Sequence, residues 1–437
     1  MKLLILGGGH CQLNAILRAK NQGHTLIVSD YYDDAPGKNF CNHKELISTF
    51  DIDGNIQVAK KHNIDGILTL GTDQPVYTAA RVQDTLNLPK LIDVPTSKAV
   101  TNKKVMKTIF KENNIPTTNF VFIKKNFCEN ELSHLNFPIV IKPLDSQGQR
   151  GIYKLDSVEE IKKYLDSTLS YSREEEILVE EYYENDEITV SGWVENDNVH
   201  VLTVTDRVTY DNYPHIGVCT AHNFPSKHLY SNFTEIMKIT EDLVESFKIH
   251  NGPIYFQMLV GKAGIKVNEI ACRIGGAYED IFIPLLTGVD ILDMLINASL
   301  GKELDYTALR NYDLSKNSKT LSVQLLFAKP GVVKTIEAPF MPLITPNRED
   351  YFGDSPLNCP LNSPLQPQYL PGVKALYFNI KPGDNIKPIT NATQRIGYMI
   401  VEGNDYQDLC KNLDRAFDNL KIYDDKGNNL VIKFDNY

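Results

Sequence analysis

The first 95 residues alternate short apolar runs with amphipathic stretches, and few folds accept that order. Residues 3–6, 25–28 and 66–70 read as strands. A helix through about residue 21 and another from 76 to about 86 read as the crossovers between them. Strands that alternate with helices predict a doubly wound, mostly parallel sheet. The chain is 437 residues long, so this sheet is one of roughly two to four domains. Apolar residues make up 42% and charged residues 23%, which suits a globular protein with sizeable cores.

Beyond the sheet, 95–97 (Pro-Thr-Ser) reads as a break. Thr101 or Asn102 can cap a following helix whose residues Val105, Met106, Ile109 and Phe110 share a face. Two strands, 137–142 and 177–182, flank a charged helix at 157–169. Residues 188–205 read as a strand pair around Trp193, and 232–247 as an amphipathic helix. Residues 254–260 and 265–271 read as a hairpin around Gly-Lys-Ala-Gly. From about 305 the composition shifts. Residues 339–372 are rich in proline and read as a linker, before strands at 373–380 and 398–401 and a helix from 406 to about 417.

The net charge of −10 argues against nonspecific nucleic-acid binding, but leaves room for a local basic pocket. Seven cysteines lie singly, which points to a reducing, cytoplasmic setting rather than a disulfide framework. Cys219 and His222 form a lone C-x-x-H with no second pair, so zinc is not expected. The opening apolar run is too short for a secretory signal, and no run approaches a membrane span.

The chemistry concentrates in the middle of the chain. Residues 138–151, PIVIKPLDSQGQRG, put Lys142 on a short strand directly before a polar loop with two glycines. Backbone N–H groups in such a loop and a nearby ammonium both attract phosphate oxygens. Lys103 opens a capped helix, Glu180-Glu181-Tyr182 ends a strand, and Glu187 follows. Gln257 lies mid-strand, and Glu269 and Arg273 lie in NEIACRIGG. Singly, each has an ordinary reading as a solvated lysine, an acidic patch or a strand end. Together their order points to a nucleotide clamp. Gly7-x-Gly9 with Asp30 suggests a dinucleotide fingerprint, but Gln12 replaces the third glycine, so a tight strand-to-helix turn without cofactor is expected.

This ordered set resembles the ATP-grasp superfamily, at the branch holding carbamoyl-phosphate synthase, biotin carboxylase and the phosphoribosylglycinamide-type ligases. LGGGH, DYYDDAPG and GTDQPVYTAA look like that family's N-terminal domain, 103–276 like the grasp itself, and RIGYMIVEG at 395–403 like its C-terminal module. The implied fold is α/β and α+β. A Rossmann-like domain (1–95) precedes an ATP-grasp domain of two α+β subdomains (96–304, lid about 118–187), and a small α+β module with the Pro-rich linker (305–437) follows. The resemblance implies that Lys103 and Lys142 contact ATP phosphates, and that Gln147, Gly148, Gln149 and Gly151 form the lid loop. It further implies that Glu180, Glu181 and Tyr182 meet adenine, partly through backbone groups, and that Glu187 meets the ribose.

Gln257 and Glu269 take the metal positions, for magnesium or manganese. Here the sequence departs from the family, with an amide for the usual carboxylate at Gln257 and Ala271 for the usual Asn. A three-residue hairpin turn would set Gln257 opposite Glu269, a two-residue turn opposite Asn268. Strand alternation turns Asn268 to the other face. Arg273 is the expected reaction-centre cation, with Gly275 and Gly276 admitting substrate closely. Arg207, His215 and His222 lie in a loop-rich insertion that either lines the substrate pocket or is plain surface.

The implied activity is ATP-dependent joining of a small carboxylate to an amine through an acyl phosphate, with Lys142 and Arg273 as the catalytic cations. No nucleic-acid or membrane partner is expected, and a homodimer is the default assembly. The competing readings are a bicarbonate-using enzyme of the same fold, a nicotinamide-type oxidoreductase using Gly7, Gly9 and Asp30, and a nucleotide-binding protein without turnover.

Overall fold

The computed structural model describes residues 1–338 and 370–435. They form two units: residues 1–204 with 227–316, and residues 205–226 with the chain from 317 onward. A single boundary near 305 is therefore not what the structure has. Residues 205–226 join the C-terminal unit because their second strand pairs with Thr320–Ala328, from Ala221 opposite Gln324 to Phe224 opposite Leu321.

The first unit opens with a parallel sheet in the order His43–Glu45, Thr25–Ser29, Lys2–Leu6, Gly66–Leu68. Helices Leu13–Asn21, Ile52–His62 and Pro75–Leu86 follow the strands. Leu4, Leu6, Ile27 and Ile67 pack with Ile56 and Val82 in its core. The polar strand His43–Glu45 carries no apolar signal, so hydrophobic patterning does not reveal it. Nor does the chain break at 95–97. A short helix, Val94–Ala99, runs through Pro95, and the Asp93 side chain accepts the Thr96 N–H at 2.7 Å. Proline is tolerated there because first-turn N–H groups have no helical partner.

Asn102 caps the next helix, Lys103–Glu112, by accepting the Lys104 and Val105 N–H groups. Its buried residues are Lys103, Met106, Lys107 and Phe110, while Val105 and Ile109 are only half-buried. Two lysines thus share the inward face with two apolar residues. The lid follows as antiparallel strands Phe120–Lys124, Glu176–Glu181, Ile139–Pro143 and Tyr153–Leu155. Helix Val158–Leu169, capped by Ser157, packs Ile161 and Leu165 against Ile139, Ile141, Ile177 and Val179. Opposite it in the grasp, strands Asp186–Glu195, Asn251–Gly261 and Gly264–Ala271 form an antiparallel platform, with Trp193 fully buried.

In the second unit, Asp206 to Asn212 pairs with His215–Phe224 across a two-residue turn. The segment expected to be loop is therefore a hairpin; its alternation of Val and Thr with polar residues is a strand pattern. Thr320–Ala328 also pairs with Gly397–Gly403, which pairs in turn with Val373–Phe378. Helix Tyr406–Asp418 contributes Leu409, Leu413 and Ala416 to the core around Met399 and Val401. The expected proline-rich linker lies outside the described residues, save for 370–372. No single helix among the described residues is long and apolar enough to cross a membrane.

Candidate nucleotide-binding site

Period-two alternation decides which lid residues face inward. Ile139 and Ile141 enter the lid core, so Val140 and Lys142 take the other face; Val140 stands opposite Glu180. That places the Lys142 ammonium on Glu180 Oε1. Glu180 Oε2 accepts from Lys107 Nζ at 2.8 Å and from Thr118 Oγ1 at 3.0 Å. Glu180 is 3% exposed and Lys107 1%. Burial opposes the charge on Glu180, but the two ammoniums outweigh it and hold the carboxyl down at about 2. Both Glu180 oxygens are therefore taken by protein, and its visible task is to hold two lysines.

Glu181, one residue on, faces away. Its carboxylate accepts from Asn119 Nδ2 and Asn136 Nδ2, each at 2.8 Å. The Glu181 N–H goes to Asn119 O at 3.0 Å and the Tyr182 N–H to Pro138 O at 2.9 Å. The Lys154 ammonium lies 3.5 Å from the Tyr182 ring centroid. The structure thus brings Glu180 into the cluster and leaves the Glu181 side chain outside it.

The platform contributes a second row. Glu187, Thr189 and Ser191 stand opposite Leu259, Gln257 and Tyr255 on one face, while Ile188, Val190, Phe256 and Met258 fill the core behind. The hairpin turn is two residues, Gly261 facing Gly264, yet Gln257 stands opposite Glu269 rather than Asn268. A β-bulge at Asn268 reconciles the two, because an extra residue shifts the register by one. The bulge also overturns the expectation that Asn268 points away: its Oδ1 accepts from Lys142 Nζ at 2.8 Å. Lys103 Nζ lies 2.8 Å from Glu269 and donates to Ser146 O at 3.1 Å, tying the platform to the lid loop.

Arg273 closes the row. Its Nε and Nη2 lie 2.8 and 2.5 Å from Asp73 Oδ1, and its guanidinium carbon lies 4.3 Å from the Tyr255 ring centroid. The Asp73 N–H donates to Gln147 Oε1 at 2.6 Å, so the lid loop reaches the same aspartate. Gly148, Gln149 and Gly151 take left-handed backbone angles in that loop, which for Gln149 (φ 58°) is unusual. Gly276 meets a packing need within the protein. A Cβ there would lie 2.5 Å from Gly71 O, so its missing side chain lets two backbones meet.

Four cations, Lys103, Lys107, Lys142 and Arg273, thus interleave with three carboxylates, Glu180, Glu269 and Asp73. A buried cleft lined with ammonium and guanidinium groups suits a polyanion. As to metal, the cleft offers one carboxylate, Glu269, with the amide oxygens of Gln257 and Asn268. No group of three or more His, Cys, Asp or Glu placed to hold an ion occurs among the described residues. This fits magnesium that brings phosphate ligands with it, not an ion held by protein alone.

Arg207, His215 and His222 lie in the second unit. Arg207 stands opposite His222 in register and donates to Gly217 O at 3.1 Å. His222 Nδ1 lies 3.0 Å from Thr205 Oγ1; burial first, then Arg207 and Arg395, push its pKa down to about 3. His215 stands opposite Asn212 beside the turn. In the N-terminal sheet, Asp30 accepts the Gly8 and Tyr32 N–H groups at 2.8 Å each, and Gln12 Nε2 donates to Leu70 O at 2.7 Å. The aspartate that would read a ribose is spent on its own turn.

Asp73, Lys107, Tyr255 and Glu279 are absent from the set the sequence suggests. Asp73 had a signal, since it follows the carboxyl end of a parallel strand, where ligands gather in such sheets. Lys107 had one too, four residues after Lys103 on the same helix face.

A lid loop and a strand platform that close on a cation-rich cleft, behind a Rossmann-like sheet, have the architecture of an ATP-grasp domain. Residues 101–278 match the family described as phosphoribosylglycinamide synthetase, ATP-grasp (A) domain, and residues 365–424 match L-amino acid ligase C-terminal domain 2. A formate-dependent phosphoribosylglycinamide formyltransferase of Sulfurisphaera tokodaii is 28% identical over 192 residues, 41% of this chain and 46% of that protein. The chain thus spans about half the length of that relative. The L-amino acid ligase of Bacillus licheniformis superposes with a TM-score of 0.74 at 18% identity, covering 97% of this chain and 98% of that one. The phosphoribosylglycinamide synthetase of Anaerococcus prevotii gives 0.71 at 20% identity, covering 96% and 98%.

Proposed function

We propose that this chain is an ATP-dependent ligase that joins a small carboxylate to an amine and releases ADP and phosphate. The observation that carries the reading is the interleaved cluster in which Lys103, Lys142 and Arg273 line one cleft beneath the lid loop. Lys103 and Lys142 hold the phosphates of ATP, while 147–151 lie over them and exclude water. Arg273 stabilises the transferring phosphoryl group and then the oxyanion formed when the amine attacks the acyl phosphate. No side-chain nucleophile is needed, because the substrate carboxylate itself attacks in line. Glu269 and the amide oxygens of Gln257 and Asn268 would hold magnesium, which would supply charge neutralisation on the phosphates.

Amino acids are the substrate class to screen first, because residues 365–424 match an L-amino acid ligase domain. The described cysteines are all free, which supports a cytoplasmic setting, and a homodimer remains the default assembly. Phosphate release should be measured with ATP, magnesium and pooled amino acids, other carboxylates and amines. Release that needs both a carboxylate and an amine is the expected result. Release that needs bicarbonate instead moves the protein to the carboxylases. ATP binding without release under every pool, unaffected by Glu269→Gln, refutes a ligase.

A further inference from the structure

Glu279 opens the helix Glu279–Thr287 but does not face solvent as first-turn acids usually do; it is 1% exposed. Its Oε2 accepts the Gly275 N–H at 2.5 Å, and its Oε1 accepts the Ser191 hydroxyl from the platform strand. A Cβ on Gly275 would lie 2.4 Å from the Glu279 carboxyl carbon and 2.7 Å from the Tyr255 ring. Gly275 is therefore bare because Glu279 and Tyr255 fill its side. The same Tyr255 ring lies against the Arg273 guanidinium. Tyr278, just before Glu279, sits at φ 62°, a left-handed angle that costs a non-glycine residue about 1 kcal/mol and gathers at functional sites. That bend delivers the carboxylate inward, onto the turn that carries Arg273.

We propose that Glu279 is a positioning residue for the reaction, holding the turn from Arg273 to Gly276 so that the guanidinium meets the transferring phosphoryl group. This rests on the ligase reading of the same cleft. As a carboxylate, Glu279 accepts charge-assisted bonds from both Gly275 and Ser191; protonated, it loses that charge, and the Ser191 hydroxyl must reverse from donating to accepting. Three charged or titratable groups face it: Arg273 favours the carboxylate, Asp280 opposes it, and Tyr255 flanks the Gly275 side. Burial dominates and pushes the Glu279 carboxyl up to about 7. The hold is therefore strongest above that pH and weakens below it.

The test measures phosphate release by the full-length protein from pH 5.5 to 8.5, with ATP affinity from equilibrium binding of the non-hydrolysable analogue AMP-PNP. For the wild type, kcat should rise with pH through about 7. Glu279→Gln should lower kcat roughly ten- to a hundredfold, abolish that rise, and leave analogue affinity within about threefold. Should Glu279→Gln fail to fold, Ser191→Ala serves: it removes one donor to the carboxylate, so the rise should move up by about half to one pH unit. Variants with wild-type kcat and pH profile overturn the positioning role. So does a loss of kcat matched by an equal loss of analogue affinity. A wild type that binds the analogue but never releases phosphate overturns the ligase reading, and the positioning role with it.

Discussion

Removing Glu180 should damage the fold far more than removing Lys142, although the two touch. Glu180 is the single carboxylate between two lysines, and its side chain and that of Lys107 are only 4% and 2% exposed. Glu180→Gln leaves two ammoniums buried without their counter-charge, and a broken buried pair costs about 3–5 kcal/mol. Lys142→Ala leaves Glu180 bound to Lys107 and Thr118, so the remaining pair is balanced and the fold loses about 1.5 kcal/mol, one hydrogen bond to a charged group. The cost of Lys142→Ala should appear at the ligand instead, as a loss of about ten- to a hundredfold in ATP affinity. The chain has one tryptophan, Trp193, fully buried in the platform of the same unit. Its fluorescence during urea unfolding therefore reports the stability of this part of the molecule. Equal midpoints for the two variants, or an unfolding free energy for Glu180→Gln within about 1 kcal/mol of wild type, would refute the idea that Glu180 is the main counter-charge of the two lysines.

The same carboxylate sets an acid limit. Its folded pKa of about 2 lies below the ordinary 4.5, so its contribution is complete above pH 4.5 and fades as pH falls towards 2. Acid unfolding of the wild type should show that slope between those values, and Glu180→Gln should flatten it. Asp73→Asn removes the Arg273 counter-ion but keeps the backbone N–H that Gln147 accepts, so kcat should fall about ten- to a hundredfold with little change in nucleotide affinity; equal loss of both in turnover and binding assays would contradict this. Chelation with EDTA should leave the melting temperature of the protein alone unchanged, since Glu269 is already paired with Lys103, and should shrink the stabilisation that ATP confers. Gly276→Ala would push a Cβ against Gly71 O and should cost about 2 kcal/mol in the same urea assay.

Local patterns carried much of this protein. The alternation in the first 95 residues determined a parallel sheet, because each apolar run is too short for anything but a strand and each crossover is helical. Asn102 and Ser157 determined where two helices start, since their side chains can accept first-turn N–H groups. The order of Lys103, Lys142, Glu180, Gln257, Glu269 and Arg273 determined the kind of cleft to expect, while strand alternation turns the Glu181 side chain to the other face.

Tertiary structure decided what local pattern cannot carry. The bulge that turns Asn268 inward depends on pairing with a strand whose register the hairpin loop alone does not set. The 205–226 hairpin gains its place from a partner strand about a hundred residues on. Asp73 reaches Arg273 across 200 residues of chain, and Lys107 finds Glu180 across a helix-to-strand packing. In the last two cases the contact joins a charge to a counter-charge that is distant in sequence or sits on another element. The cleft's electrostatics therefore exist only once the chain is folded.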